Sequence, residues 1–249
     1  MGPAASGETG GGDRMNSRMT DRLIAQLIET RSGNERANVL EELRRLILSG
    51  GAPPGAQIPP GEVADAFQVS PIPVREALKT LVGEGLVVHQ RNAGYRVSQL
   101  STDELREIYF VRGTLEQAAL ARAVERIDSD GLARARDRHV ELVTAVKYND
   151  RKAFHNISRD FHRELTAPCE MPRLLNMFEA TWNLTEPFQV MRSVGSQTQQ
   201  ALNDDHAALL DSFAARDVDA VLRVAQVHHQ RLESAIIETA AELDVRHDN

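Results

Sequence analysis

The stretch from Glu62 to Val88 constrains this chain more than any other. Val63, Ala64, Phe67 and Val69 recur at helical spacing, the chain breaks at Ser70-Pro71, and a second apolar stripe follows at Val74, Ala77, Leu78, Leu81 and Val82. That pattern spells helix, tight turn, helix. Ser70 stands where an N-cap is wanted, and Pro71 and Pro73 fall in a first helical turn, where a missing N–H costs nothing. Gly83 and Gly85 close the second helix. Leu86-Val87-Val88 and Tyr95-Arg96-Val97 then flank the polar, basic tip of a hairpin, His89 to Gly94.

Two helices followed by a hairpin outline a winged helix-turn-helix, whose second helix enters the DNA major groove while the hairpin tip touches backbone or minor groove. Residues 34–100 resemble the DNA-binding domain of the GntR family. The matching residues are Pro54-Gly55, Val63-Ala64, Val69-Ser70, Pro73-Val74-Arg75-Glu76-Ala77-Leu78 and Glu84-Gly85-Leu86-Val87. Arg75, near the start of the second helix, is the first candidate for a base or phosphate contact, because a guanidinium offers a fork of donors. Its alternative is a salt bridge with a nearby acid such as Glu76. Arg91 and Asn92 at the hairpin tip, with Gly94 permitting close backbone approach, form the second candidate set, and a solvated turn is the alternative there. The chain departs from its resemblance at Pro71, Ile72 and Gly61, where relatives carry arginine, threonine and a basic residue. Ser70 and Ile72 therefore point to readout by backbone, shape and apolar contact, including a thymine methyl.

From Ser101 the pattern changes. Ser101-Thr102-Asp103-Glu104 reads as a capping box, and amphipathic segments follow over 102–127, 130–149, 150–166, 171–192, 199–215 and 217–242. The expectation is a mostly α protein: a disordered tail over 1–18, a winged domain over 19–100 with an extra N-terminal helix capped by Thr20, and an all-helical bundle over 101–249. The bundle resembles the FCD effector domain of the FadR-type branch of the GntR family. The residues that carry this are Val111-Arg112, Leu115-Glu116, Phe161-His162, Asp205-His206, Asp217 and His228.

His206 shares a helical face with Leu202, Leu209, Leu210 and Phe213. His228 lies on the stripe of Val221, Val224, Ala225 and Leu232, whereas His229 turns aside beside Gln226 and Glu233. His162 sits one turn from Ser158 and Leu165. Three imidazoles facing one bundle interior are a candidate set for a divalent transition metal, zinc or nickel. The resemblance implies a carboxylate four residues before His162, and Ser158 stands there instead. Asp160 is about 200 degrees around the helix from the position needed. A polar pocket of hydrogen-bonded histidines without metal is the open alternative. Arg112 and Arg192 are candidate clamps for a carboxylate effector, with helix-to-helix salt bridges as the alternative.

These features imply a ligand-responsive, sequence-specific transcriptional regulator, a repressor by the commoner sign of the family. It would act as a homodimer on an inverted-repeat operator and be switched by a small organic acid through a hinge near residues 99–102. A metal-dependent enzyme or a metal sensor carrying the helix-turn-helix is the rival, but no phosphate loop, nucleophile elbow or paired catalytic carboxylates are evident. The formal net charge of -7 in 249 residues argues against indiscriminate coating of nucleic acid, so binding must rest on placed arginines. Cys169 is the only cysteine, so no intrachain disulfide can form, and a reducing cytoplasm is expected. No apolar run approaches the roughly 20 residues of a membrane span.

Overall fold

A computed structural model describes residues 10–32, 38–188 and 194–247. The chain divides into two compact units, one running to Gln99 and the other starting at Leu100, with residues 186–188 grouped with the first.

The first unit holds α1 (Gly10–Ser32), α2 (Val39–Leu48), α3 (Pro60–Phe67), α4 (Pro71–Gly83), β1 (Val87–Gln90) and β2 (Gly94–Val97). Leu23 and Leu27 of α1 join Leu43 and Ile47 of α2, Val63 of α3, Leu78 and Leu81 of α4 and Val97 of β2 in one buried cluster. Each such side chain stabilises the unit by about 1.5–3 kcal/mol. The chain crosses from α3 to α4 through Gln68, whose φ of 52° bends it sharply. Pro71 occupies the first position of α4, as read from the sequence, but the Ser70 side chain makes no capping bond.

β1 and β2 pair antiparallel, Val87 opposite Val97 and Gln90 opposite Gly94, leaving Arg91, Asn92 and Ala93 as the turn. Asn92 and Gly94 close it with φ of 68° and 79°, values that asparagine and glycine tolerate best. The backbone of Gly55 to Ile58 adds further hydrogen bonds to β2, so the wing is anchored along its length.

α1 differs from expectation. It begins at Gly10, inside the stretch read as a disordered tail, and Thr20 lies within the helix rather than capping it. Once Leu23 and Leu27 fix the helix on the core, upstream turns add at little cost, because propagation follows an already formed nucleus.

The second unit comprises α5 (Thr102–Ala123), α6 (Ser129–Lys147), α7 (Arg151–Thr166), α8 (Pro172–Thr185), α9 (Ser196–Ala215) and α10 (Val218–His247). Ser101 and Glu104 form the capping box at the head of α5, the Ser101 N–H donating to Glu104 Oε2 at 2.8 Å. α5 packs against α7, α8 and α10, while α9 packs against α6 and α10. Phe154, Phe161, Phe178 and Phe213 fill the interior. α8 ends at Thr185 instead of continuing to 192, because Pro187 cannot donate a helical hydrogen bond and disfavours helical geometry in Glu186 before it. Arg192 lies outside the described residues. No helix among the described residues is long and apolar enough to cross a membrane.

Candidate metal centre and nucleic-acid face

α7, α9 and α10 bring His162, His206 and His228 together inside the second unit, each offering one nitrogen within 4.8 Å of the others. All three are buried, and His206 is fully so. The ring centres of His206 and His228 stand 4.7 Å apart, and His162 lies 5.1 Å from both.

The nitrogens are unequally committed. His162 Nδ1 donates to Glu116 Oε1 of α5, and His228 Nδ1 lies 3.5 Å from Asp205 Oδ2. Among the described residues neither nitrogen of His206 has a hydrogen-bond partner. Burying an imidazole without satisfying either nitrogen is costly, so its surroundings call for a ligand. Burial holds His206 well below the ordinary imidazole pKa, reinforced by His228 and His162. Burial also lowers His228, against the opposing pull of Asp205. Both rings are thus neutral at pH 7 with lone pairs exposed, the form a zinc or nickel ion binds. The donor set fits such an ion.

Tyr109, Arg112, Phe154, His155, Ser158, Trp182, Thr185 and Leu232 complete the wall around His206 and His228. The open space is only about 10 Å3, room for one water or one ion. Arg112 is 1% exposed, and its Nη2 donates to Thr181 O at 2.8 Å and Thr185 Oγ1 at 2.5 Å. Its guanidinium carbon sits 4.4 Å from the ring centres of Tyr109 and Trp182. The salt-bridge alternative for Arg112 is not realised: among the described residues no carboxylate pairs with it, and its Nε and Trp182 Nε1 have no acceptor. Two donors therefore remain for an anion.

Ser158 is buried on the cavity wall, while Asp160 is exposed and pairs with Arg163 at 3.6 Å, as the helical angles required. Three residues escaped the sequence reading. Glu116 arrives from another helix. His229 does not turn aside: its Nε2 lies 3.3 Å from Glu116 Oε2, and burial pushes its pKa down to about 4. His155 lies seven positions before His162, on nearly the same helical face, so spacing alone could have found it.

In the first unit, Ile72 projects from the start of α4 with 71% of its surface exposed. Arg75 is exposed, and Glu76 pairs with Lys79 at 2.8 Å rather than with Arg75. Ser70, Arg91 and Asn92 are exposed as well, and Gly94 opens β2.

A winged helix-turn-helix and a histidine-cored helical bundle in one chain define a two-part class of regulator. Residues 107–231 match the FCD domain, and residues 35–97 match the bacterial regulatory proteins of the gntR family. The chain belongs to the GntR family of transcriptional regulators and carries an FCD domain. It is 26% identical over 202 residues to the uncharacterized HTH-type transcriptional regulator BphR of Paraburkholderia xenovorans, covering 79% of this chain and 81% of that one. It is 27% identical over 199 residues to the HTH-type transcriptional repressor GlaR of Escherichia coli, covering 75% and 88%. The solved structure of E. coli McbR/YncC superposes with a TM-score of 0.69 at 24% identity, over 80% of this chain and 95% of the other, a likeness that speaks to fold alone.

Proposed function

We propose that this regulator reads an operator through α4 and the wing, and that a small organic acid acting at a His-bound divalent metal in the second unit controls that binding. Ser70, Ile72 and Arg75 would meet base edges and phosphates in the major groove, and Arg91, Asn92 and Gly94 the flanking backbone. As a homodimer the protein would place two such helices on an inverted repeat. Repression fits the relative GlaR, a transcriptional repressor.

The observation that carries the effector reading is the pairing of His206, with both nitrogens unpartnered, and Arg112, buried without a carboxylate, on one cavity wall. His162, His206 and His228 would hold the cation, which supplies a Lewis-acidic point for one carboxylate oxygen. Arg112 and Trp182 would hold the remainder of the anion. The cavity admits little more than an ion, so an organic acid must spread its walls, and that is the differential state a switch requires.

Protein purified without chelator should contain close to one transition metal per chain, and His206→Ala should remove it. Gel-shift titrations on the DNA flanking the protein's own gene, with and without malonate, succinate or citrate, test the coupling. Metal at background with no effect of any acid would defeat the effector reading, and no retardation of that DNA would defeat the operator reading.

A further inference from the structure

Three imidazole ligands bring no negative charge to a divalent cation, and Arg112 adds a further positive group to the same buried wall. An uncompensated cation there would be costly. Ser158 cannot help, because its hydroxyl is neutral. The buried anion nearest the histidines is Glu116, 3% exposed, with Oε1 on His162 Nδ1 and Oε2 3.3 Å from His229 Nε2.

We propose that Glu116 is the carboxylate of this centre, acting from behind the ligand: by accepting from His162 Nδ1 it fixes that tautomer, leaves Nε2 as the lone-pair nitrogen, and supplies the negative charge that Ser158 does not. This rests on the metal reading above. With an imidazole nitrogen at each of its oxygens, Glu116 is placed as the acceptor, and hence the anion, of the pair. Asp205 Oδ2 lies 3.5 Å from His228 Nδ1, close but without a hydrogen bond. Two of the three histidines thus have a carboxylate beside Nδ1, and where it accepts the N–H, as at His162, it orients the ring and raises its basicity. Glu116 is a positioning residue, since it stands outside the histidine set and would act through His162.

Zinc affinity by chelator competition on the full-length wild type, Glu116→Gln, Glu116→Ala and Glu116→Ala/Ser158→Asp provides the test, with circular dichroism confirming folding. Glu116→Ala should weaken zinc by roughly 10–100-fold, and Glu116→Gln, which keeps an acceptor but loses the charge, by about tenfold. Ser158→Asp, placed one turn before His162 on the same helix, should recover most of the loss. A purely structural glutamate would not be rescued that way. In metal-free protein at pH 8, nitrogen NMR should find His162 as the Nδ1–H tautomer in wild type and not in Glu116→Ala. Wild-type protein that binds no zinc would overturn the metal reading and this one with it. Unchanged affinity in both Glu116 variants, no rescue by Ser158→Asp, or an Nε2–H tautomer in wild type would overturn this inference alone.

Discussion

Gly113 of α5 lies against the imidazole of His229 so closely that a Cβ at this position would collide with ring carbon Cδ2. In an ordinary helix interior, replacing glycine by alanine gains about 0.5–1 kcal/mol. Here the ring reverses the sign, because overpacking costs about 1–3 kcal/mol. Gly113→Ala should therefore destabilise the protein by about 1–2 kcal/mol in urea titration. Gly113→Ala/His229→Ala should be much less affected by the added methyl, a coupling that a double-mutant cycle reads directly. Additive effects would show that the seam between α5 and α10 yields freely.

Arg112 tests the anion site. A buried guanidinium stacked between aromatic rings but lacking a carboxylate is a poor source of stability, and replacing it with an apolar side chain of similar length should be neutral or stabilising. Arg112→Met should melt no lower than wild type, yet show none of the rise in Tm expected of wild type with succinate or citrate. A stabilisation of 1 kcal/mol corresponds to about 2–4 °C in a chain of this size. A clear fall in Tm with the ligand response retained would make Arg112 structural.

The histidine cluster gives a pH dependence with a definite sign. His206 and His228 are held below their ordinary value by burial, whereas in the unfolded chain they take protons at about 6.5. Below that pH the unfolded state binds more protons, so stability falls as pH falls. Metal-free protein should lose about 1.4 kcal/mol per histidine for each pH unit below 6.5 until the folded-state value is reached. Urea titrations at pH 7, 6 and 5 measure the slope, and His206→Leu should flatten it.

On the DNA side, Arg75 is exposed and Glu76 is occupied by Lys79, so Arg75→Ala removes no ion pair among the described residues and should leave the fold intact. A lost base contact costs about 1–3 kcal/mol, so operator affinity should fall roughly 5–150-fold. Equal loss on all sequences with a shallower salt slope would assign Arg75 to phosphate instead. Ile72→Ser should reduce discrimination at one position while leaving the salt slope unchanged.

The winged unit was legible because its signals are local: prolines in a first helical turn, glycines after it, and two short apolar runs around a polar tip. The histidine triad followed from helical angles on three separate helices. Glu116 was not legible, since a search for a carboxylate one turn before His162 looks only along α7, whereas the anion comes from α5, 46 residues away in sequence. His229 was misplaced for the same kind of reason. Its angle on α10 is as expected, but α5 covers that side through the gap left by Gly113, and helical periodicity does not reveal which neighbour covers a flank. Apolar spacing continues past Pro187, so periodicity alone carries α8 beyond its end at Thr185.

The chamber beside His206 is scarcely larger than a single solvent molecule. Filling it and reshaping the bundle would consequently be one event: a metabolite big enough to be told apart from water would have to announce its arrival by pushing helices apart.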